Sequence, residues 1–243
     1  MRSFETILKS ADILPGLLFP RRCPLCDRVL PYGERICEQC ADEIIYEKEP
    51  RCMKCGRSLE NEGASMYCDD CERHSHVYDH GYCMADYRSV AKAIYRMKYK
   101  NRRQNAEWFG DEMARKLGRE ILALRPQVLV PVPLHAKRMR KRGYNQAADL
   151  AKALSARLKI PVREDLIRRV RNTPPMKDLD SEEKRRNNMK NAFQLGSDVV
   201  KYDRIMIVDD VYTSGTTIDA VAREFRKAGV LGIFFVTVAS AHL

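Results

Sequence analysis

The chain has 243 residues and a formal net charge of +11, from 44 Lys and Arg against 33 Asp and Glu. That length suits one medium domain and a small one, and no apolar run is long enough to span a bilayer. The charge is uneven: residues 1–80 carry net −4 and residues 81–243 net +15, so the larger part calls for an anionic ligand, a polyphosphate or a nucleic acid.

Residues 1–20 carry Glu5, Lys9 and Asp12 inside an apolar pattern, which is not a signal-peptide core. Phe4, Ile7, Leu8 and Ala11 share one face of a short amphipathic helix. Its length and sparse basic face fit a helix docked on its own protein better than a membrane anchor. The expectation is a soluble, cytoplasmic protein.

Four Cys-x-x-Cys pairs follow: Cys23 and Cys26, Cys37 and Cys40, Cys52 and Cys55, Cys68 and Cys71. A reducing compartment disfavours a disulfide framework, and a redox pair would occur once beside a βαβ unit. Tetrahedral zinc takes four thiolates, two from each knuckle. Eight cysteines therefore make two structural zinc ribbons with no open coordination position. Sequential pairing is favoured over interleaving because its shorter loops cost less entropy to close. Such a region builds little core of its own and depends on metal, so loss of Cys37 is expected to unfold it and leave the rest standing. His74, His76 and His80 read as solvated, since the thiolates already fill both sites. Cys83 reads as a small buried residue in an alternating strand over 80–87.

Ser89 to Tyr99 reads as a helix with Val90, Ala93, Ile94 and Met97 inward. Its other side is basic: Arg88, Lys92, Arg96, Lys98 and, just beyond, Lys100, Arg102 and Arg103. A second helix runs from about Gln104 to Leu124, and Gln127–Val132 is a buried strand. The next loop concentrates Lys137, Arg138, Arg140, Lys141 and Arg142. A helix over 143–158 and a short strand over 166–170 come next. The segment around Pro174 and Pro175, with Asp180 and Glu183 as a capping box before a basic helix, reads as a lid.

Ile205 to Ile218 carries the most chemistry. Ile205, Met206, Ile207 and Val208 are uniformly apolar, as in a central parallel strand covered on both faces. Asp209 and Asp210 stand at its carboxyl end, where open α/β sheets bind ligands. Thr213, Ser214, Gly215, Thr216 and Thr217 then form a turn opening a helix, which favours an anion. A sugar phosphate fits, the loop taking the 5-phosphate and the carboxylates accepting hydrogen bonds from the ribose hydroxyls. A further helix with Ala220, Val221, Phe225 and Ala228 inward and a last strand over 232–239 complete an alternating α/β parallel sheet.

The segment IMIVDDVYTSGTTI resembles the PRPP-binding signature of type I phosphoribosyltransferases. With LLFPRRCPLC, the Cys pairs, RMKYKNR, VPVPLHAKRMRKRGYNQ and RNTPPMKDLDSEEKRRN, nearly the whole chain resembles the ComF family of competence-associated, phosphoribosyltransferase-like proteins. After the amphipathic helix over 1–20, the resemblance implies a double zinc ribbon, here over 21–76, and a phosphoribosyltransferase-like domain, here over 77–243. It implies Asp209 and Asp210 as ribose-binding acids, residues 213–217 as the phosphate loop, and Pro133, Arg138 and Arg142 near pyrophosphate. Position and charge add Lys137 to that side, with Mg2+ helping pyrophosphate to depart. Met176 stands where the family usually has glutamine. The resemblance also implies a role in natural transformation. Two functions follow: a transferase that binds Mg-PRPP, or a ribose-phosphate ligand, and passes the ribosyl carbon to an acceptor; or a single-stranded-DNA-binding accessory of DNA-uptake proteins, with Tyr87, Tyr95, Tyr99 and Tyr144 among the cations as stacking candidates.

Overall fold

The computed structural model describes residues 20–59, 65–173, 188–196 and 201–241. The expected N-terminal helix, but for its last residue, and the expected lid with Pro174, Pro175, Met176, Asp180 and Glu183 lie outside the described residues.

The chain enters through two ribbons of one design. In the first, Arg22 bridges Val29 antiparallel around the Cys23–Cys26 knuckle, and helix α1 (Glu38–Asp42) carries Cys40. In the second, Arg51 bridges Ser58 around Cys52–Cys55, and helix α2 (Asp69–Arg73) carries Cys71. Strand β1 (His80–Asp86) then opens the main domain, followed by α3 (Tyr87–Tyr99), α4 (Gln104–Ala123), β2 (Val128–Pro131), α5 (Ala136–Arg142) and α6 (Gln146–Leu158). After them come β3 (Ile167–Arg169), β4 (Phe193–Leu195), β5 (Arg204–Tyr212), α7 (Thr216–Lys227) and β6 (Gly232–Ser240).

The main sheet is parallel, in the order β1-β6-β5-β2. The strand expected beside the Asp209 strand is indeed its neighbour, with Leu129 opposite Met206 and Pro131 opposite Val208. Strands β3 and β4 form a separate antiparallel pair. Side chains of a strand alternate between faces, and the register divides the core accordingly. Leu129, Met206, Val208, Phe234 and Val236 share one face with α3, α4 and α6. Val128, Val130, Ile205, Ile207 and Phe235 share the other with α7, β3 and β4.

The ribbons join these two layers rather than standing apart, which corrects the picture of a region with little core. Cys23, Leu25, Leu30, Cys37, Cys40 and Ile44 belong to the first cluster, and Cys52 and Cys55 to the second. The chain between them runs antiparallel along the β1 edge: Glu47 N donates to Met84 O at 3.0 Å and Asp86 N to Ile45 O at 2.8 Å. Buried Glu47 accepts from Ser58 N at 2.6 Å and from the Ser240 hydroxyl. The opposite edge is covered where Leu129 N donates to Pro161 O and Arg163 N to Leu129 O. Both ends of the sheet are thus blunted against further pairing.

The basic run expected as a loop is helix α5. His135 caps it by accepting from Lys137 N, and Gly143, at φ 80°, ends it in the left-handed conformation. The following helix starts at Gln146 rather than Gly143, with Asn145 accepting from Ala147 N. Among the described residues, no helix is long and apolar enough to cross a membrane.

Candidate functional site

Strand β5 does not stop at the acids. It pairs with β6 as far as Tyr212 opposite Ser240, while β2 ends opposite Val208. Asp209 and Asp210 therefore overhang the sheet on the β2 side only. Alternation turns them to opposite faces, and their neighbours agree. Asp210, 4% exposed, takes a 2.8 Å ion pair from Lys98 of α3 and a 3.1 Å hydrogen bond from Gln146 Nε2 of α6. Gln146 in turn accepts from Arg142, whose guanidinium lies 5.4 Å from the Tyr99 ring. Asp209 faces the charge of Arg169 on β3 and accepts from Asp210 N at 2.9 Å.

Burial, then the negative charge of Asp210, pushes the Asp209 carboxyl up to about 7, against the pull of Lys98 and Arg169. Burial would lower the Lys98 ammonium, but Asp210 and Asp209 outweigh it and hold it above its ordinary value. Burial and then nearby Arg138 pull the Arg169 guanidinium down to about 10, with Asp209 acting the other way. Arg169 and Arg138 both donate to Thr173, one to its hydroxyl and one to its carbonyl, and Arg169 Nε is buried without a protein partner. Arg169 thus meets the positive charge of Arg138 and the negative charge of Asp209.

The turn after β5 is tight. Gly215, at φ 71°, is the N-cap of α7, and no side chain caps that helix, so its first amides are left for another acceptor. A Cβ at Gly215 would lie 2.9 Å from both His76 Cε1 and Tyr212 Oη. Ser214 and Thr216 are buried and share a 2.8 Å hydroxyl contact. Beneath the turn lies the second ribbon. Arg57, 3% exposed, donates to Thr213 O at 2.9 Å and Ala241 O at 3.1 Å and pairs with Asp70.

The cysteines fall into the sequential sets, Cys23, Cys26, Cys37 and Cys40, then Cys52, Cys55, Cys68 and Cys71, with the sulfurs of each set within 4.8 Å of one another. Contacts of 3.6 Å from Cys37 to Cys23 and 3.7 Å from Cys55 to Cys68 are near the about 3.8 Å edge of a tetrahedron with a metal–sulfur bond of about 2.3 Å. They are far from the roughly 2 Å of a disulfide. Either set fits one zinc ion.

A double zinc ribbon domain matches residues 14–72, and a phosphoribosyl transferase domain matches residues 141–242. Competence protein F of Haemophilus influenzae is 32% identical over 87% of this chain and 93% of its own length. The chain belongs to the ComF family. The DNA utilization protein YhgH of Salmonella typhimurium is 30% identical, covering 89% of this chain and 93% of that one. Competence protein ComFC of Streptococcus pneumoniae is 25% identical over 79% and 80%. The expected resemblance is borne out, as is the phosphoribosyltransferase-like parallel sheet preceded by a zinc ribbon.

In this ComF protein the residues singled out from sequence are only partly gathered. Asp209, Asp210 and residues 213–217 adjoin along one strand and turn. Arg138 and Arg142 approach the acids through Arg169 and Gln146. Pro133 follows the end of β2, and Lys137 is exposed on α5 without an ion pair among the described residues. Lys98, on the basic side of its helix, turns in to Asp210. The RMKYKNR segment was itself the signal. Gln146 likewise closes the segment VPVPLHAKRMRKRGYNQ, whereas Arg169 and Arg57 carried no signal, because their partners lie far along the chain or in another layer. His76 is not solvated: its side chain is 3% exposed, and its Nδ1 lies 2.7 Å from Asp219 Oδ2. Tyr144 is also buried, at 4% exposure under Arg103, and offers no free ring face for stacking.

Proposed function

We propose that this protein binds Mg-PRPP or a closely related ribose phosphate at residues 209–217. The supporting observation is the one-sided overhang of Asp209 and Asp210 beside the uncapped start of α7. In this reading the carboxylates accept from the ribose 2- and 3-hydroxyls, and Thr213, Ser214, Gly215, Thr216 and Thr217 hold the 5-phosphate. Arg138 and Arg169 stand on the pyrophosphate side with Arg142 behind Gln146; Pro133 and Lys137 border it. Magnesium would add positive charge at the pyrophosphate. As a transferase, the site would stabilise a cation-like ribosyl carbon as pyrophosphate leaves, mainly by positioning and electrostatics. We further propose a structural zinc ion in each four-cysteine set and a cytoplasmic location. Calorimetry with PRPP tests the donor site. Magnesium-dependent heat that disappears in the Asp209→Asn, Asp210→Asn double variant supports it, and no heat at millimolar ligand contradicts it.

A second reading, single-stranded DNA binding within DNA uptake, is favoured by a separate surface. A groove of about 750 Å3 is lined by Lys92, Arg96, Lys100 and Arg102 together with Tyr87 and Tyr95. Tyr95 and Tyr99 are 53% and 54% exposed, with ring centroids 5.1 Å apart. Cations around exposed rings suit a single strand. Affinity that falls steeply with salt and drops in Tyr95→Ala while surviving the double Asp variant would support this reading. Equal affinity in Tyr95→Ala would remove it.

A further inference from the structure

A cavity of about 120 Å3 lies beside the start of α7, lined by His76, Met189, Ser214, Thr216, Asp219 and Arg223 among others. It is smaller than the roughly 300 Å3 at which pockets begin to enclose whole organic ligands. His76 comes from the short run between the last ribbon cysteine, Cys71, and β1. Its ring stacks on Tyr78, with centroids 4.9 Å apart. Both carboxylate oxygens of Asp219 are already used: Oδ1 accepts from Val77 N at 2.8 Å, and Oδ2 lies 2.7 Å from His76 Nδ1. A carboxylate can only accept there, so Nδ1 carries a proton. The other ring nitrogen, Nε2, is buried and has no protein partner. A buried polar atom without a partner is costly. This one belongs to a residue lining a small cavity with the hydroxyl residues Ser75, Ser214 and Thr216, an uncapped helix of twelve residues and an arginine around it.

We propose that His76 is an oxyanion-binding residue of the phosphate pocket, supplied by the chain leaving the second ribbon, with Asp219 as its positioning residue. The proposal rests on the reading of residues 213–217 as a phosphate loop and adds a ligand contact from outside that loop. The phosphate oxygen and Nε2 share one proton. Either a P–OH donates to neutral imidazole, or an imidazolium N–H donates to the dianion. Asp219 fixes which ring nitrogen is left without a protein partner, and the helix start and Arg223 balance the charge of the anion. The lower part of the pocket therefore belongs to the ribbon side of the molecule, and the upper part to the sheet side.

Two substitutions separate a ligand role from a structural one. His76→Asn keeps an amide donor near the Nδ1 position for Asp219 and loses Nε2. His76→Gln places an amide near the Nε2 position and loses the Asp219 contact. Full-length, zinc-replete protein is titrated with inorganic phosphate and with ribose 5-phosphate, while the imidazole nitrogens are followed by 15N NMR. The expected result is a shift of His76 Nε2 on adding either ligand. Both affinities should fall ~10- to 100-fold in His76→Asn, with smaller losses in His76→Gln and an unchanged melting temperature in His76→Asn. Wild-type affinity in His76→Asn, or a silent Nε2 while ribose 5-phosphate binds, overturns this proposal and leaves the donor-site reading standing. If inorganic phosphate binds and moves Nε2 but ribose 5-phosphate binds no better, the histidine stands and the ribose reading fails. If neither ligand binds at millimolar concentration, both fall together.

Discussion

Asp209 shows how a strand end is tuned. Its carboxyl is pushed up to about 7 by burial and by Asp210, so its folded pKa exceeds the roughly 3.9 of an unfolded aspartate. The stability from this group is then complete below the unfolded value and is lost as pH rises through about 7. Ligand binding runs the opposite way, because a carboxylate is needed to accept from a ribose hydroxyl. Affinity for Mg-PRPP should rise ~10-fold per pH unit up to about 7 and then level off. Asp209→Asn should remove that component and leave only the titration of the ligand itself; identical profiles for the two proteins would contradict the assignment. Lys98 is the second residue-scale case. Lys98→Met leaves Asp210 buried beside an uncharged chain. We expect about 1–3 kcal/mol of destabilisation by urea unfolding, less than for a fully buried pair because Lys98 keeps 23% exposure. Adding Asp210→Asn should recover part of it, and strict additivity would show that the two do not interact.

At the scale of elements, patterns that repeat locally were legible and contacts across layers were not. The uniform run at Ile205–Val208 announced a central strand, and the Cys-x-x-Cys spacing announced two ribbons. The apolar positions of α3 were correct, because Val90, Ala93, Ile94 and Met97 are all buried. Helix α5 was missed because none of its residues is buried. With no inward face there is no periodicity to detect, and it is held by the His135 cap and the Gly143 stop. The reach of Arg57 to Thr213 spans 156 residues, so nothing local encodes it. Arg57→Ala should leave the zinc content at about two per chain while amide exchange at 213–217 accelerates, since two loop-end carbonyls lose a buried charged donor. Unchanged exchange there would mean that the ribbon does not hold the turn.

For the whole molecule, the ribbons are placed one in each hydrophobic layer, with their connecting chain along the β1 edge. Sequence composition alone favours a metal-held region that unfolds by itself. The packing predicts otherwise. Cys37→Ser disrupts a set lying in the same cluster as Ile94, Met97 and Phe109, so α3 and α4 lose part of their cover. Limited proteolysis and melting followed by two probes should show ribbon and sheet lost in one transition, and a surviving protease-resistant fragment beginning near residue 77 would contradict this. Zinc removal by chelation should act in the same direction. The charge balance distinguishes a negative N-terminal part from a positive remainder, but not that the two pack together. That contact, a ribbon reaching under a loop, needed the fold.

We propose that residues 209–217 form a ribose-phosphate site completed from both the sheet and the ribbon. Hydrogen–deuterium exchange with and without Mg-PRPP tests it most directly, because it locates binding along the chain. We predict protection concentrated in peptides covering 205–219, with smaller protection at 74–78 and 167–173. Protection confined to the Tyr95 and Lys100 surface, or none at saturating ligand, would contradict it.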